Sequence, residues 1–223
     1  MQELDLKAEH DKQNSVGVLE QIIEQGFNLF CLKYAKGGIV TRNEYSFQFE
    51  LGVILKQLGQ LYEFNPEDKF EIKFESNIEL SEISKKSLTN KARIDIFINY
   101  KQYKFVDVQA AIELKFLKKE SKKEPVSRYD VFADISNLES YKESGIEVCY
   151  LLLITDNNHY VNHKKYSKKT SDFDFRQGVT YKSNTVLSYR TEKSKRKDIV
   201  LTKDYEFKWL EYEELSFLKI RIP

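Results

Sequence analysis

The sequence predicts an α/β protein: a helix, a three-strand meander, a second helix and a fourth strand, with one helix before this core and β-rich pieces after it. Three observations carry this. Residues 15–36 and Asn43–Tyr62 repeat apolar residues at helical spacing. Lys69–Ser76 and the two halves of Lys91–Glu120 read as strands joined by short connections. Glu147–Thr155 is continuously apolar, as expected of a strand covered on both faces.

In chain order, Val18, Ile22, Ile23, Phe27, Phe30 and Cys31 make the stripe of the first helix, which Gly37-Gly38 should stop. The polar start, MQELDLKAEHDK, has neither the basic nor the apolar region of a secretory signal. The second helix has Asn43 as its N-cap, Asn65-Pro66 as the turn beyond it, and Phe47, Leu51, Ile54, Leu55, Leu58 and Leu61 as its stripe. In Lys69–Ser76 three apolar residues, Phe70, Ile72 and Phe74, alternate with charged ones, the pattern of a half-buried strand. Residues 77–90 form a polar connection. A basic loop containing Pro125 leads to a helix over Tyr129–Ser144, with Val131, Phe132, Ile135, Leu138 and Tyr141 facing inward and Gly145 ending it. Beyond Asp156 come short strand-like pieces: Val179–Lys182, Thr185–Tyr189, Ile199–Thr202, Tyr205–Tyr212 and Leu218–Ile222. Three prolines and no Gly/Ser linker argue for one domain over 1–223, with a core at about 41–155 and a C-terminal β-rich extension at about 156–223.

Composition narrows the class. The 223 residues, 41% apolar and 13% aromatic, suffice for a sizeable core. No apolar run approaches the roughly 18 residues of a membrane span, so no membrane partner is expected. Cys31 and Cys149 are isolated in apolar surroundings, and a cytoplasmic protein with reduced core thiols is the simplest reading. Net charge is only +1, but cations gather in three places. These are Lys115, Lys118, Lys119, Lys122, Lys123 and Arg128; Lys164, Lys165, Lys168 and Lys169; and Lys193, Lys195, Arg196 and Lys197. One such cluster is an ordinary solvated loop; three, with the first directly after the candidate site, favour a phosphate backbone as partner.

That candidate site is the hairpin KARIDIFINYKQYKFVDVQAAIELKFLKKE. Alternation along a strand puts Arg93, Asp95 and Phe97 on one face and Ile94, Ile96 and Ile98 on the other. In the second strand Ala111, Glu113 and Lys115 share a face opposite Ile112, Leu114 and Phe116. A tight turn at Tyr100–Tyr103 would bring two acids and a lysine together beside the small Ala111, with room for a metal ion. The tripeptide Glu-x-Lys alone means little here, because Glu71/Lys73 and Glu120/Lys122 repeat it in a chain that is 32% charged.

An Asp followed by Glu-x-Lys on a hairpin, within helix–strand–strand–strand–helix–strand, resembles the PD-(D/E)XK nuclease superfamily, whose fold is restriction-endonuclease-like. Ile94 stands where that motif often has proline. The resemblance implies a magnesium-dependent nuclease acting on DNA ahead of RNA, in a defence, restriction or mobile-element setting. It implies Mg²⁺ (or Mn²⁺) held by Asp95, Glu113 and the Leu114 carbonyl, with Lys115 acting on water and on developing charge. A glutamate from the preceding helix is a common addition. Glu44 is the first candidate, on nearly the same stripe as Leu51, and Glu50 the alternative. From a different class, a catalytically silent protein of this fold could bind nucleic acid or protein; a homodimer or a protein partner stays open. His159 and His163 form HxxxH without the adjacent glutamate of a zinc hydrolase, and they follow a strand, so they read as loop histidines. Trp209 reads as a packing residue, and Asp130 and Asp134 as helix acids.

Overall fold

The computed structural model describes residues 2–79, 91–103, 107–121, 124–164, 167–168, 170–190 and 196–223, with side chains from residue 11 onward. Its centre is a six-stranded mixed sheet, with three α-helices among the described residues. Helix α1 is Gln2–Ala35 and α2 is Glu44–Gln60; strands β1 (Lys69–Glu79), β2 (Lys91–Lys101) and β3 (Val108–Leu117) follow. Helix α3 (Glu124–Glu143) then crosses to β4 (Val148–Thr155). β1–β2 and β2–β3 are antiparallel, and β3–β4 is parallel, as a helical crossover requires.

The C-terminal stretch is less separate than its composition suggests. Its last strands, β9 (Trp209–Tyr212) and β10 (Leu215–Arg221), extend the same sheet, with β10 antiparallel to β4 and β9 at the edge. Four two-residue strands pair off separately: β5 (Thr180–Tyr181) with β8 (Tyr205–Glu206), and β6 (Val186–Leu187) with β7 (Ile199–Val200). With β10 on one side and β3 on the other, β4 is buried at every position, and β3 at all but two. This explains why β4 reads as an unbroken apolar run.

Each sheet face has its own core. On one side Phe27, Phe30, Phe47, Leu51 and Leu55 of α1 and α2 pack on Ile96, Ile98, Ile112, Leu114 and Leu152. On the other, Val131, Phe132, Ile135 and Leu138 of α3 join Ala111, Leu151 and Leu153 and the C-terminal Phe173, Phe175, Tyr181, Phe207 and Trp209. Trp209 is a packing residue, its indole N–H given to the Phe175 carbonyl at 2.8 Å. Glu139 ties the C-terminal stretch to α3, accepting from the Thr202 and Lys203 amides and from the Tyr205 hydroxyl.

Several boundaries differ from the sequence reading. The polar start is helical from Gln2, because its Glu, Lys, Ala and Gln residues prolong a helix already held by its apolar half. Asn43 caps α2 reciprocally with Ser46, but the helix ends at Gln60, so Leu61 is its C-cap and is exposed. α3 starts at Glu124 rather than Tyr129, since Pro125 suits the first turn of a helix. Nor do Ile94, Ile96 and Ile98 share one core. Ile96 and Ile98 lie under α1 and α2, whereas Ala92 and Ile94 belong to the α3 side. The last β2–β3 pair is Ile96 with Ile112, and beyond it the two-stranded β1–β2 ribbon is free to twist more strongly. Glu75, opposite this point, has a left-handed φ of 55°. Cys31 and Cys149 are buried free thiols. Among the described residues no helix is long and apolar enough to cross a membrane.

Candidate functional site

β3 runs under both helical layers and carries Glu113 and Lys115 on the α3 side. Lys115 is only 7% exposed, which for a lysine demands partners. Its ammonium lies 2.6 Å from Asp134 Oδ2 on α3, 3.4 Å from Glu44 Oε1 at the start of α2, and donates to the Leu114 carbonyl at 2.9 Å. Burial by itself would depress the Lys115 pKa. Asp134, Glu44, Glu113 and Asp95, in descending order, overcome it and hold the group well above the ordinary lysine value. Four carboxyl groups therefore act on one ammonium, two of them at ion-pair distance.

Asp95 occupies the gap where β2 leaves β3. Its Oδ2 accepts the Leu114 amide at 2.7 Å, replacing the ladder bond lost when pairing stops at Ile96. Gln48, buried on α2, donates to the Asp95 backbone carbonyl at 2.6 Å and to Glu75 Oε1 at 3.0 Å. The other Glu75 oxygen meets Arg93 Nε at 2.5 Å, which accounts for the Arg93 charge. Glu113 is 2% exposed and accepts the Tyr141 hydroxyl of α3 at 3.0 Å. Burial, reinforced by Glu113, pushes the Tyr141 phenol far up, so it remains a hydrogen-bond donor.

An open cleft of about 760 Å³ reaches this cluster from solvent, lined by Asn43, Glu44, Tyr45, Lys115, Lys118 and Asp130 among others. Lys115 and Glu44 border it directly. Asp95 and Glu113 are not among the residues that line it. Among the described residues no three Asp, Glu, His or Cys side chains are gathered as a metal-holding group. The donor chemistry alone suits a hard cation: Asp95 and Glu113 supply carboxylate oxygens that both act on Lys115, and Lys115 bonds the Leu114 carbonyl.

The hairpin read from sequence thus brings Asp95, Glu113 and Lys115 to one place. Glu44 joins them, whereas Glu50, half-buried further along α2, is not among the four carboxyl groups acting on Lys115. Ala111 is packed into the α3-side core instead of opening space. Three further residues complete the surroundings. Asp134 is no surface acid: it is fully buried at Lys115. Its position, three residues after Val131 and four before Leu138, already lay on the inward stripe, and an acid there was the available signal. Gln48 gave the same signal, three residues before Leu51. Tyr141, on the inward stripe of α3, reads from sequence as a core residue only, and its hydroxyl is what adds it to the site.

The basic clusters fare unevenly. Lys118 borders the cleft, 3.8 Å from Glu120, while Lys119, Lys164, Lys168 and Lys197 are exposed. Arg196 lies on the Tyr129 and Tyr189 rings and pairs with Asp130 at 3.5 Å. Arg128 cannot contact a phosphate backbone as expected. It is fully buried, paired with Glu124 and set 5.2 Å and 5.6 Å from the Tyr160 and Phe175 ring centres. Starting α3 at Glu124 puts Arg128 one turn before Phe132, on the inward stripe. Lys122, Lys123, Lys165, Lys169, Lys193 and Lys195 lie outside the described residues. His159 and His163 sit with ring centres 4.2 Å apart at a short 3-10 turn, His159 Nε2 being 3.3 Å from Glu124. The chain matches no family model, no curated protein and no solved structure.

Proposed function

We propose that this chain is a divalent-metal-dependent nuclease with a restriction-endonuclease-like core, hydrolysing phosphodiester bonds in DNA ahead of RNA. The observation that carries the reading is the buried Lys115 at an open cleft, with the buried Glu113 and Asp134, the half-buried Asp95 and the exposed Glu44 all acting on its ammonium. Burying Glu113 and Asp134 with Lys115 is costly, and such clusters of perturbed groups at a cleft are functional-site candidates. The order α2, β1–β2–β3, α3, β4 and the pairing of β2 with β3 agree with the resemblance.

In this reading Asp95, Glu113 and the Leu114 carbonyl hold Mg²⁺ or Mn²⁺. The bound ion would polarise the scissile phosphate and acidify a water. Lys115, kept an ammonium by its acidic neighbours, supplies positive charge to the phosphate as negative charge develops, and orients water by donating a hydrogen bond. Asp134 and Glu44 set the direction of that ammonium, and Tyr141 fixes one Glu113 oxygen. Lys118 lies where a neighbouring phosphate could be met.

The test is cleavage of plasmid, single-stranded DNA and RNA with Mg²⁺, Mn²⁺ or EDTA. Asp95→Ala, Glu113→Ala and Lys115→Ala should each reduce metal-dependent cleavage on the order of 100-fold or more, with non-additive effects. Glu71→Ala and Lys73→Ala, at exposed positions on β1, should leave it unchanged. Equal loss in that pair would mean the site is elsewhere. A second reading, a silent binding module, draws on the Lys115 bond to the same Leu114 carbonyl that would ligate the metal. Absence of cleavage with retained nucleic-acid binding would select it.

A further inference from the structure

Helix α2 hides one stripe and exposes another that is also apolar. Tyr45 is 73% exposed and Phe49, one turn later on the same face, 56%. Tyr45 is also part of the cleft wall, beside Glu44 and Lys115. The rest of that wall is mixed: the Lys118 ammonium, the Asn43 amide and the Ser121 and Ser127 hydroxyls stand with the Glu120 and Asp130 carboxylates and with Phe116 and Leu117. An exposed aromatic ring beside hydrogen-bonding groups and the Lys118 ammonium, on a wall that is part apolar, has the mixed character of a nucleotide. The ring offers a stacking face, the ammonium suits a phosphate, and the short polar groups suit a base edge.

We propose that this cleft takes a nucleotide from an unpaired stretch of nucleic acid, its base stacked on Tyr45, with Phe49 serving the neighbouring base. The proposal rests on the nuclease reading and narrows its substrate to single strands, flaps or flipped nucleotides. The physical reason is access. A base within a duplex shows only its edges, so a ring can stack on its face only after the base has left the helix. The cleft volume of about 760 Å³ falls within the roughly 300–1,000 Å³ of small-ligand sites, which suits one or two nucleotides.

Full-length protein is titrated by fluorescence anisotropy, with Ca²⁺ in place of Mg²⁺, against a labelled 12-nucleotide single strand and the matching duplex. A second single strand carries 2-aminopurine, whose fluorescence falls when the base stacks. The parent should bind the single strand more tightly and quench the 2-aminopurine. Tyr45→Ala should weaken single-strand binding roughly 5- to 150-fold, abolish the quench and barely change duplex binding; Tyr45→Phe should restore both. Both variants should retain the parent's circular dichroism, because the side chain is exposed.

Unchanged single-strand affinity in Tyr45→Ala, or equal loss on both substrates, overturns the proposal. If Mg²⁺-dependent plasmid cleavage persists in that case, the nuclease reading stands without it. A parent that binds neither substrate and cleaves nothing overturns both. Self-association that Tyr45→Ala and Phe49→Ala abolish, with oligonucleotide binding unaltered, assigns the stripe to a second copy of the chain and likewise overturns the proposal.

Discussion

Replacing Lys115 with methionine keeps the volume and removes the cation that Asp95, Glu113, Glu44 and Asp134 share. With an effective dielectric of about 20, attraction to Asp134 at 2.6 Å is ~6 kcal/mol and to Glu44 at 3.4 Å ~5 kcal/mol. The second figure shrinks because Glu44 is half exposed, and withdrawing the ammonium from water offsets several kcal/mol of the total. What remains is the cost of leaving buried acids unpaired, about 3–5 kcal/mol when one partner of a buried pair is removed. In a chain of this length each kcal/mol moves Tm by ~2–4 °C, so Lys115→Met should melt ~6–20 °C below the parent in EDTA. Adding Asp134→Leu should recover part of the loss, since removing both partners leaves fewer stranded charges. Scanning calorimetry of the parent, both single variants and the double variant closes the cycle. A Lys115→Met protein melting within about 2 °C of the parent would refute the view that this ammonium holds the acids together.

Arg128→Met should destabilise by about 3 kcal/mol or more in denaturant titration, because Glu124 loses its arginine and two rings lose a cation, yet leave DNA affinity unchanged. Gly59→Ala and Gly52→Ala should diverge. A Cβ at Gly59 would sit 2.2 Å from the ring of the fully buried Phe70, costing about 1–3 kcal/mol. At Gly52 it would meet Phe74, which is 43% exposed and can swing aside, so the melting curve should move much less. Burial pushes the Tyr100 phenol up to about 12, against 10.0 for a free tyrosine. The unfolded chain therefore loses this proton first, so the stability linked to Tyr100 is intact below pH 10 and falls as pH rises toward 12. Tyr100→Phe should flatten that fall in urea titrations across the same window.

The local pattern by itself determined most of the elements and the central hairpin. Alternation and helical spacing are properties of neighbouring residues, so α2, β1, β2, β3 and β4 could be read directly, and with them the meeting of Asp95, Glu113 and Lys115. Where a polar residue goes when it faces inward is a different matter, because its partner comes from another part of the chain. Asp134, 19 residues beyond Lys115, looked like a helix acid until the α3 crossover laid it on β3. Gln48 became a support for Asp95 only once α2 lay across the sheet, and Arg128 changed from a phosphate contact to a core residue when α3 began at Glu124. The strands past Asp156 were legible as short pieces, but β10 could find its place beside β4 only in three dimensions. An edge strand's partner is chosen by which sheet edge remains open, and that is settled when the whole sheet has assembled.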